Sequence, residues 1–197
     1  MPGPLIVISG PAGGGKSTVV QELLADGSLP LRRSVSATTR PPRPGEVDGR
    51  DYYFWTPARF EEAVAAGEFL EHAVVHGTHR YGTPQKPVDE LRSNRLGVIL
   101  VIDIQGFEQV RQKCPDVLSV FIWVPLDELQ KRMERRGEAA ESISRRLETA
   151  RMELARMGEY NYNLRNDDLN HTVAELRQLI AQRLAARPDG GAECSTT

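Results

Sequence analysis

Nine consecutive residues, Gly10-Pro11-Ala12-Gly13-Gly14-Gly15-Lys16-Ser17-Thr18, satisfy the spacing G-x-x-x-x-G-K-[ST] of a phosphate-binding loop. Glycines let backbone N–H groups converge on phosphate oxygens, and a helix starting at this point adds the positive end of its dipole. Lys16 is expected to reach the β- and γ-phosphates of a nucleoside triphosphate, the Ser17 hydroxyl to ligate Mg2+, and Thr18 to lie beside the phosphates at the first helical turn. No dinucleotide fingerprint occupies these positions. The loop says more about the donor than about the acceptor, because GTPases, motor ATPases and small-metabolite kinases share it.

Arg40 and Arg43 sit three apart around Pro41-Pro42, flanked by Ser36 and Tyr52. Two planar forks on a proline-stiffened loop suit a monophosphate, and the competing reading is a pair of solvated arginines on a turn. Glu71 follows Phe69-Leu70, and Tyr81-Gly82-Thr83 follows a short turn. A carboxylate can accept from both N1–H and the 2-amino group of guanine, and a threonine hydroxyl can meet the O6 edge. Asp103 ends an apolar run where open α/β sheets place ligand-contacting groups; capping the Gln105-Gly106 turn is its structural alternative. Arg132, Arg135, Arg136, Arg145 and Arg146 flank a polar segment that could close over the donor and neutralise the moving phosphoryl group. A solvated helix laced by i,i+4 pairs to Glu141 and Glu148 competes with that reading. His72, His76, His79 and His171 lack the local cysteines and context of a zinc site.

The elements that must hold these residues follow from the apolar pattern. Leu5-Ile6-Val7-Ile8, Val98 to Ile102 and Leu118 to Val124 are unbroken apolar runs, as in parallel strands covered on both faces, each followed by a helical segment. Between the first helix and the second such run, short strand-like pieces separated by turn formers predict a small, partly antiparallel sheet inserted into the core. Helices are expected near 57–67, 84–94 and at the C-terminus, where Val173, Leu176, Leu179, Ile180 and Leu184 form one stripe. Residues 137–149 have little to bury and are expected to move against the core. The fold class is therefore α/β, a three-layer core with a parallel sheet, a small inserted sheet and a mobile lid.

At 197 residues the chain can bury one core without staples. A net charge of -2 leaves no global attraction to nucleic acid or an anionic membrane, so any anion site must be local. Cys114 and Cys194 are too few and too distant for a disulfide scaffold or a four-ligand metal site. No run reaches membrane length and the N-terminus lacks signal-peptide character, so a cytoplasmic enzyme or binding protein is the expectation, as a monomer or homodimer.

The combined pieces resemble the guanylate kinase family over about Leu5 to Leu184. They are Ile8-Ser9-Gly10-Pro11 with the phosphate loop, Ser36 through Glu46, Gly49-Arg50-Asp51-Tyr52, Ile102 through Gly106, and Asn166-Asp167-Asp168-Leu169. The resemblance implies transfer of the γ-phosphoryl group of ATP to GMP, and also to dGMP, with Mg2+. It implies a GMP phosphate grip of Ser36, Arg40, Arg43, Tyr52 and Tyr81, and guanine reading by Glu71, Thr83 and Asp103. Arg132, Arg136 and Arg146 become the arginines that close on the phosphoryl groups, and Asn166 a neighbour of the adenine. It further implies one domain over 1–186, with a core at about 4–33, 97–126 and 159–186, a GMP-binding region at about 34–96 and a lid at about 127–158; from Arg187 onward Pro188-Asp189-Gly190-Gly191 and the polar end offer no packing stripe, so a flexible tail is expected over 187–197. Val101 stands where relatives commonly carry an acidic residue. Two other readings remain: a kinase for another phosphorylated acceptor, such as a ribose bisphosphate, and a module that only binds protein ligands.

Overall fold

The computed structural model describes residues 2–75 and 79–186. The tail expected over 187–197, together with Cys194, His76 and Thr78, lies outside the described residues. Along the chain run β1 (Leu5–Ser9), α1 (Lys16–Ala25), β2 (Leu31–Arg33), β3 (Ala37–Thr38), β4 (Tyr53–Phe54), α2 (Pro57–Ala65), β5 (Phe69–Val75) and β6 (His79–Pro84). There follow α3 (Gln85–Ser93), β7 (Gly97–Val101), α4 (Ile104–Lys113), β8 (Leu118–Trp123), α5 (Leu126–Arg135), α6 (Ala140–Ala155), a 3-10 turn (Met157–Glu159), β9 (Tyr162–Arg165) and α7 (Leu169–Ala185).

Five parallel strands form the main sheet in the order β2-β7-β1-β8-β9. All five residues of β1 are buried, as its unbroken apolar run requires of a central strand with helices on both sides. One face packs Ile6, Ile8, Ile99 and Val120 against Val19, Val20 and Leu23 of α1 and Val173, Leu176 and Ile180 of α7. The other packs Val7, Leu100 and Phe121 against Phe107 and Val110 of α4, Val88 of α3 and Tyr160. These three layers are the expected α/β core.

Two strands of this sheet escaped the sequence reading. Within β2 only Leu31 is buried, and within β9 only Leu164, so neither shows the apolar run by which the central strands announce themselves. Both are edges, where one apolar anchor and backbone pairing suffice.

The second sheet runs β4-β3-β6-β5, with β3 parallel to β4 and the other pairs antiparallel. Its apolar side joins Ala37 and Phe69 to Phe60 and Ala63 of α2; the rings of Phe60 and Phe69 stack at 4.5 Å. Thr56 caps α2, accepting from the Arg59 N–H, and Pro57 occupies the first turn, where its missing donor costs nothing.

The polar segment is less bare than its composition implies. Ile143 and Ala150 of α6 are buried with Leu129 and Met133 of α5 and Val124, and Leu147 packs beside them. This small cluster joins α5 and α6 to each other, away from the two core clusters. At the far end of α6, Leu154 and Met157 pack against the α4 side of the core.

Candidate active site

The carboxyl ends of β1, β7, β8 and β9 open on one edge of the main sheet, and neighbours of β1 leave it on both sides. Such a switch point is where open α/β sheets bind ligands. Gly10 leaves β1 at φ 133°, and a Cβ there would lie 2.0 Å from the Ile122 carbonyl oxygen, so the loop can hug β8 only with glycine. Gly15 closes the loop at φ 94° as the N-cap of α1. Where its side chain would be sits the Asn166 amide, which donates to the Gly14 carbonyl at 2.8 Å; Gly14 N–H in turn donates to Pro11 O at 3.0 Å.

Lys16 folds back into this cradle, its ammonium donating to the Gly10 carbonyl and, at 3.0 Å, to that of Pro11. Burial holds it below the ordinary lysine range, while Glu153 and Asp103 favour its charged form. Ser17 and Thr18 are exposed at the start of α1. Ala12 is exposed on the loop, and Gly13 lies beneath Leu129 and Met133 of α5. Sequence reasoning missed Glu153, whose own pKa burial raises. Its one visible signal is a place two helical turns after Arg146, on nearly the same face of α6.

Asn166, placed near the adenine by resemblance, is here buried and stitched to the phosphate loop. Its backbone carbonyl also accepts from Arg132 Nη2 at 3.0 Å, and Glu128 holds Arg132 Nε at 3.1 Å. Arg132 is thereby fixed beside the loop. Arg136, at the C-terminal end of α5, is exposed, whereas Arg146 pairs with Glu138 at 3.1 Å. Of the anticipated helix-surface pairing, Glu148 is engaged by Arg151 at i,i+3, and neither Arg145 nor Arg146 pairs with Glu141 or Glu148 among the described residues.

On the inserted sheet, Arg40 is 9% exposed, far from the solvated turn residue of the competing reading. Both its Nη atoms engage the Glu46 carboxylate at 2.9 Å, Nε donates to the Tyr81 hydroxyl at 3.2 Å, and the Tyr52 ring lies 5.5 Å away. Glu46 raises the Arg40 pKa further, so the guanidinium is charged throughout. Arg43 is exposed and gives its backbone N–H to Glu46 at 2.7 Å; Ser36 is half-buried and accepts at its carbonyl from Tyr53 N–H at 2.9 Å. The role of Glu46 in organising this corner was also missed.

Glu71 is 4% exposed, not a surface residue. A bulge sets it opposite Thr83: two steps along β5, from Phe69 to Glu71, match one along β6. Leu70 then enters the main core, Phe69 the small one, and Glu71 accepts from the Thr83 hydroxyl at 2.6 Å. Burial lifts the Glu71 pKa to about 7, with Asp103 adding to the rise and the Thr83 bond opposing it. Asp103 realises its structural alternative, since Oδ1 caps α4 by accepting from Gly106 N–H at 3.0 Å. Its charge nevertheless favours the charged form of Lys16 and adds to the rise at Glu71.

The glycine-lysine loop and the buried carboxylate–threonine pair thus both feel the charge of Asp103. The sequence model of the family described as Guanylate kinase matches residues 3–183. The chain belongs to the guanylate kinase family. It is 47% identical over 182 residues to a guanylate kinase of Alkalilimnicola ehrlichii, covering 91% of this chain and 89% of that one. To a guanylate kinase of Leifsonia xyli it is 42% identical over 186 residues, 93% of this chain and 71% of the relative. The crystal structure of guanylate kinase from Anaplasma phagocytophilum superposes with a TM-score of 0.77 at 31% identity, covering 93% and 87% of the two chains. The enzyme is an ATP:GMP phosphotransferase, making ADP and GDP.

For a guanylate kinase a carboxyl titrating near 7 has a direct consequence. Below that pH Glu71 is protonated and loses one acceptor, so kcat/KM for GMP should fall as pH drops from about 8 to 6, the range set by its raised pKa. Because the GMP phosphate itself titrates near 6, the diagnostic comparison is Glu71→Gln, in which the step near pH 7 should vanish. A profile identical in both proteins would exclude Glu71 as its source.

Proposed function

We propose that the phosphotransfer is divided among these residues as follows. The loop amides and Lys16 bind the β- and γ-phosphates of ATP, exchanging the lysine's present carbonyl partners for phosphate oxygens. Asn166 keeps the loop in shape, and Arg132, Arg136 and Arg146 close on the transferring group, with 127–158 acting as the lid over a core at about 4–33, 97–126 and 159–186. The inserted region, about 34–96, carries GMP: Ser36, Arg40, Arg43, Tyr52 and Tyr81 at its phosphate, Glu71, Thr83 and Asp103 at its base. A GMP phosphate oxygen attacks the γ-phosphorus in line while the bond to the β-γ bridging oxygen breaks, leaving ADP. That oxygen is already ionised, so no general base is required, and dGMP fits the same contacts.

Mg2+ suits this arrangement. An exposed Ser17 hydroxyl beside Lys16 offers one protein ligand, and Mg2+ commonly takes one or two, completing its shell with phosphate oxygens and water. Its chemistry would be neutralisation of charge on the donor phosphates. Among the described residues no helix is long and apolar enough to cross a membrane.

The observation that carries this reading is Asp103, which ends the run after β7 and caps α4, the helix whose Gly106 lies against Glu71, and whose charge also favours the charged form of Lys16. It supports neighbouring sites for the two substrates. If the arginines of α5 and α6 are assembled only when GMP is present, ATP hydrolysis without acceptor should run at least about 10²-fold below transfer, the scale of a lost charge-stabilising contact. ADP release at similar rates with and without GMP would contradict acceptor-dependent closure.

A further inference from the structure

Strand β5, which carries Glu71, is an edge of the small sheet, and an edge strand exposes unpaired backbone groups. Here α4 covers them. Gln109 behaves as a substitute strand: its Oε1 accepts from His72 N–H at 3.1 Å and its Nε2 donates to His72 C=O at 2.7 Å. One turn further, Lys113 Nζ donates to the Phe69 carbonyl at 3.0 Å. One turn before Gln109, Gly106 is buried against the Glu71 carboxylate; a Cβ there would stand 2.6 Å from Oε2 and 3.1 Å from Cδ. Residues 106, 109 and 113 lie on one helical face, so a single stripe holds β5 on both sides of Glu71 and leaves a notch for its carboxylate.

We propose that this stripe of α4 sets acceptor-base specificity, with Gly106 and Gln109 as positioning residues that orient Glu71 toward guanine without touching the base. The proposal rests on Glu71 being the guanine reader. One carboxylate oxygen is tied to Thr83, and the other can be aimed only as far as the space over Gly106 allows. The same helix begins at Asp103, so the stripe also fixes the distance between the two carboxylates. Gly106 lies within α4 without a positive φ and alanine is a better helix former, so the added methyl acts chiefly on the carboxylate, with a weaker contact to Ile102 Cβ at 3.3 Å.

The test compares kcat/KM for GMP and for inosine monophosphate, which lacks the 2-amino group, in the wild type, Gly106→Ala, Gln109→Ala and Glu71→Gln, with melting temperature measured for each. Glu71→Gln should collapse the GMP preference. Gly106→Ala should reduce it about tenfold, as expected for one misaligned charge-assisted bond. Gln109→Ala should reduce it severalfold, with the KM for ATP unchanged in both. Should Gly106→Ala fail to fold, Gln109→Ala decides. If Glu71→Gln loses the preference while both α4 variants keep it, or lose activity toward both acceptors equally, the stripe is structural only and the proposal falls. If Glu71→Gln keeps the preference, the reading of Glu71 itself is wrong and the proposal falls with it.

Discussion

Lys16→Ala should lower kcat about 10²- to 10³-fold at saturating ATP and GMP, the scale of removing one preorganised charge from a site where negative charge develops. The side chain lies inside the loop, held by the Gly10 and Pro11 carbonyls, so on the proposed reading it is already in the loop before the phosphates arrive. Burial works against its charge, while Glu153 and Asp103 work in its favour. ADP formation at saturation, with melting temperature as the control for folding, checks this. Turnover within a few-fold of wild type would show that the loop lysine is not used in transfer.

Arg40→Ala should cost about 10²-fold in kcat/KM for GMP, the loss of charge-assisted contacts to a phosphate. Glu46 and Tyr81 hold the guanidinium so completely that its direction is set without substrate. Preorganisation of this kind spares the entropy of ordering a long side chain at binding. A phosphate contact is blind to the base, so GMP and inosine monophosphate should suffer alike, and the KM for ATP should not move. Arg40→Lys keeps the charge but not the planar fork and should recover only part of the loss. A normal KM for GMP in Arg40→Ala would mean that Arg40 serves Glu46 and the turn, not the acceptor.

The donor site was legible because its chemistry is contiguous: Gly10 to Thr18 carry strand exit, cradle, lysine and hydroxyl in nine residues. The three central strands were legible for a similar reason, being unbroken apolar runs. What stayed hidden depends on tertiary context. β2 and β9 each bury a single residue, too little to stand out from loop. Glu71 looks like an ordinary acid until the bulge turns Leu70 into one core and Phe69 into another, leaving the carboxylate buried with Thr83. Glu46, Glu153 and Gln109 are single polar residues whose partners are 6, 137 and 37 positions away: Arg40, Lys16 and His72. Residues 137–149 were legible as polar helix, whereas the burial of Ile143 and Ala150 with Met133 of α5 was not, because those apolar residues are too sparse to form a stripe.

The most direct test is ADP and nucleoside diphosphate production from ATP and Mg2+ by the purified protein, with GMP, AMP, CMP, UMP or no acceptor, the products separated by chromatography. GDP should form with GMP strongly preferred over every other nucleotide, at a rate far above acceptor-free hydrolysis. Equal transfer to AMP and GMP would contradict guanine recognition by the buried Glu71–Thr83 pair, and no transfer to any nucleotide would contradict the phosphotransferase itself.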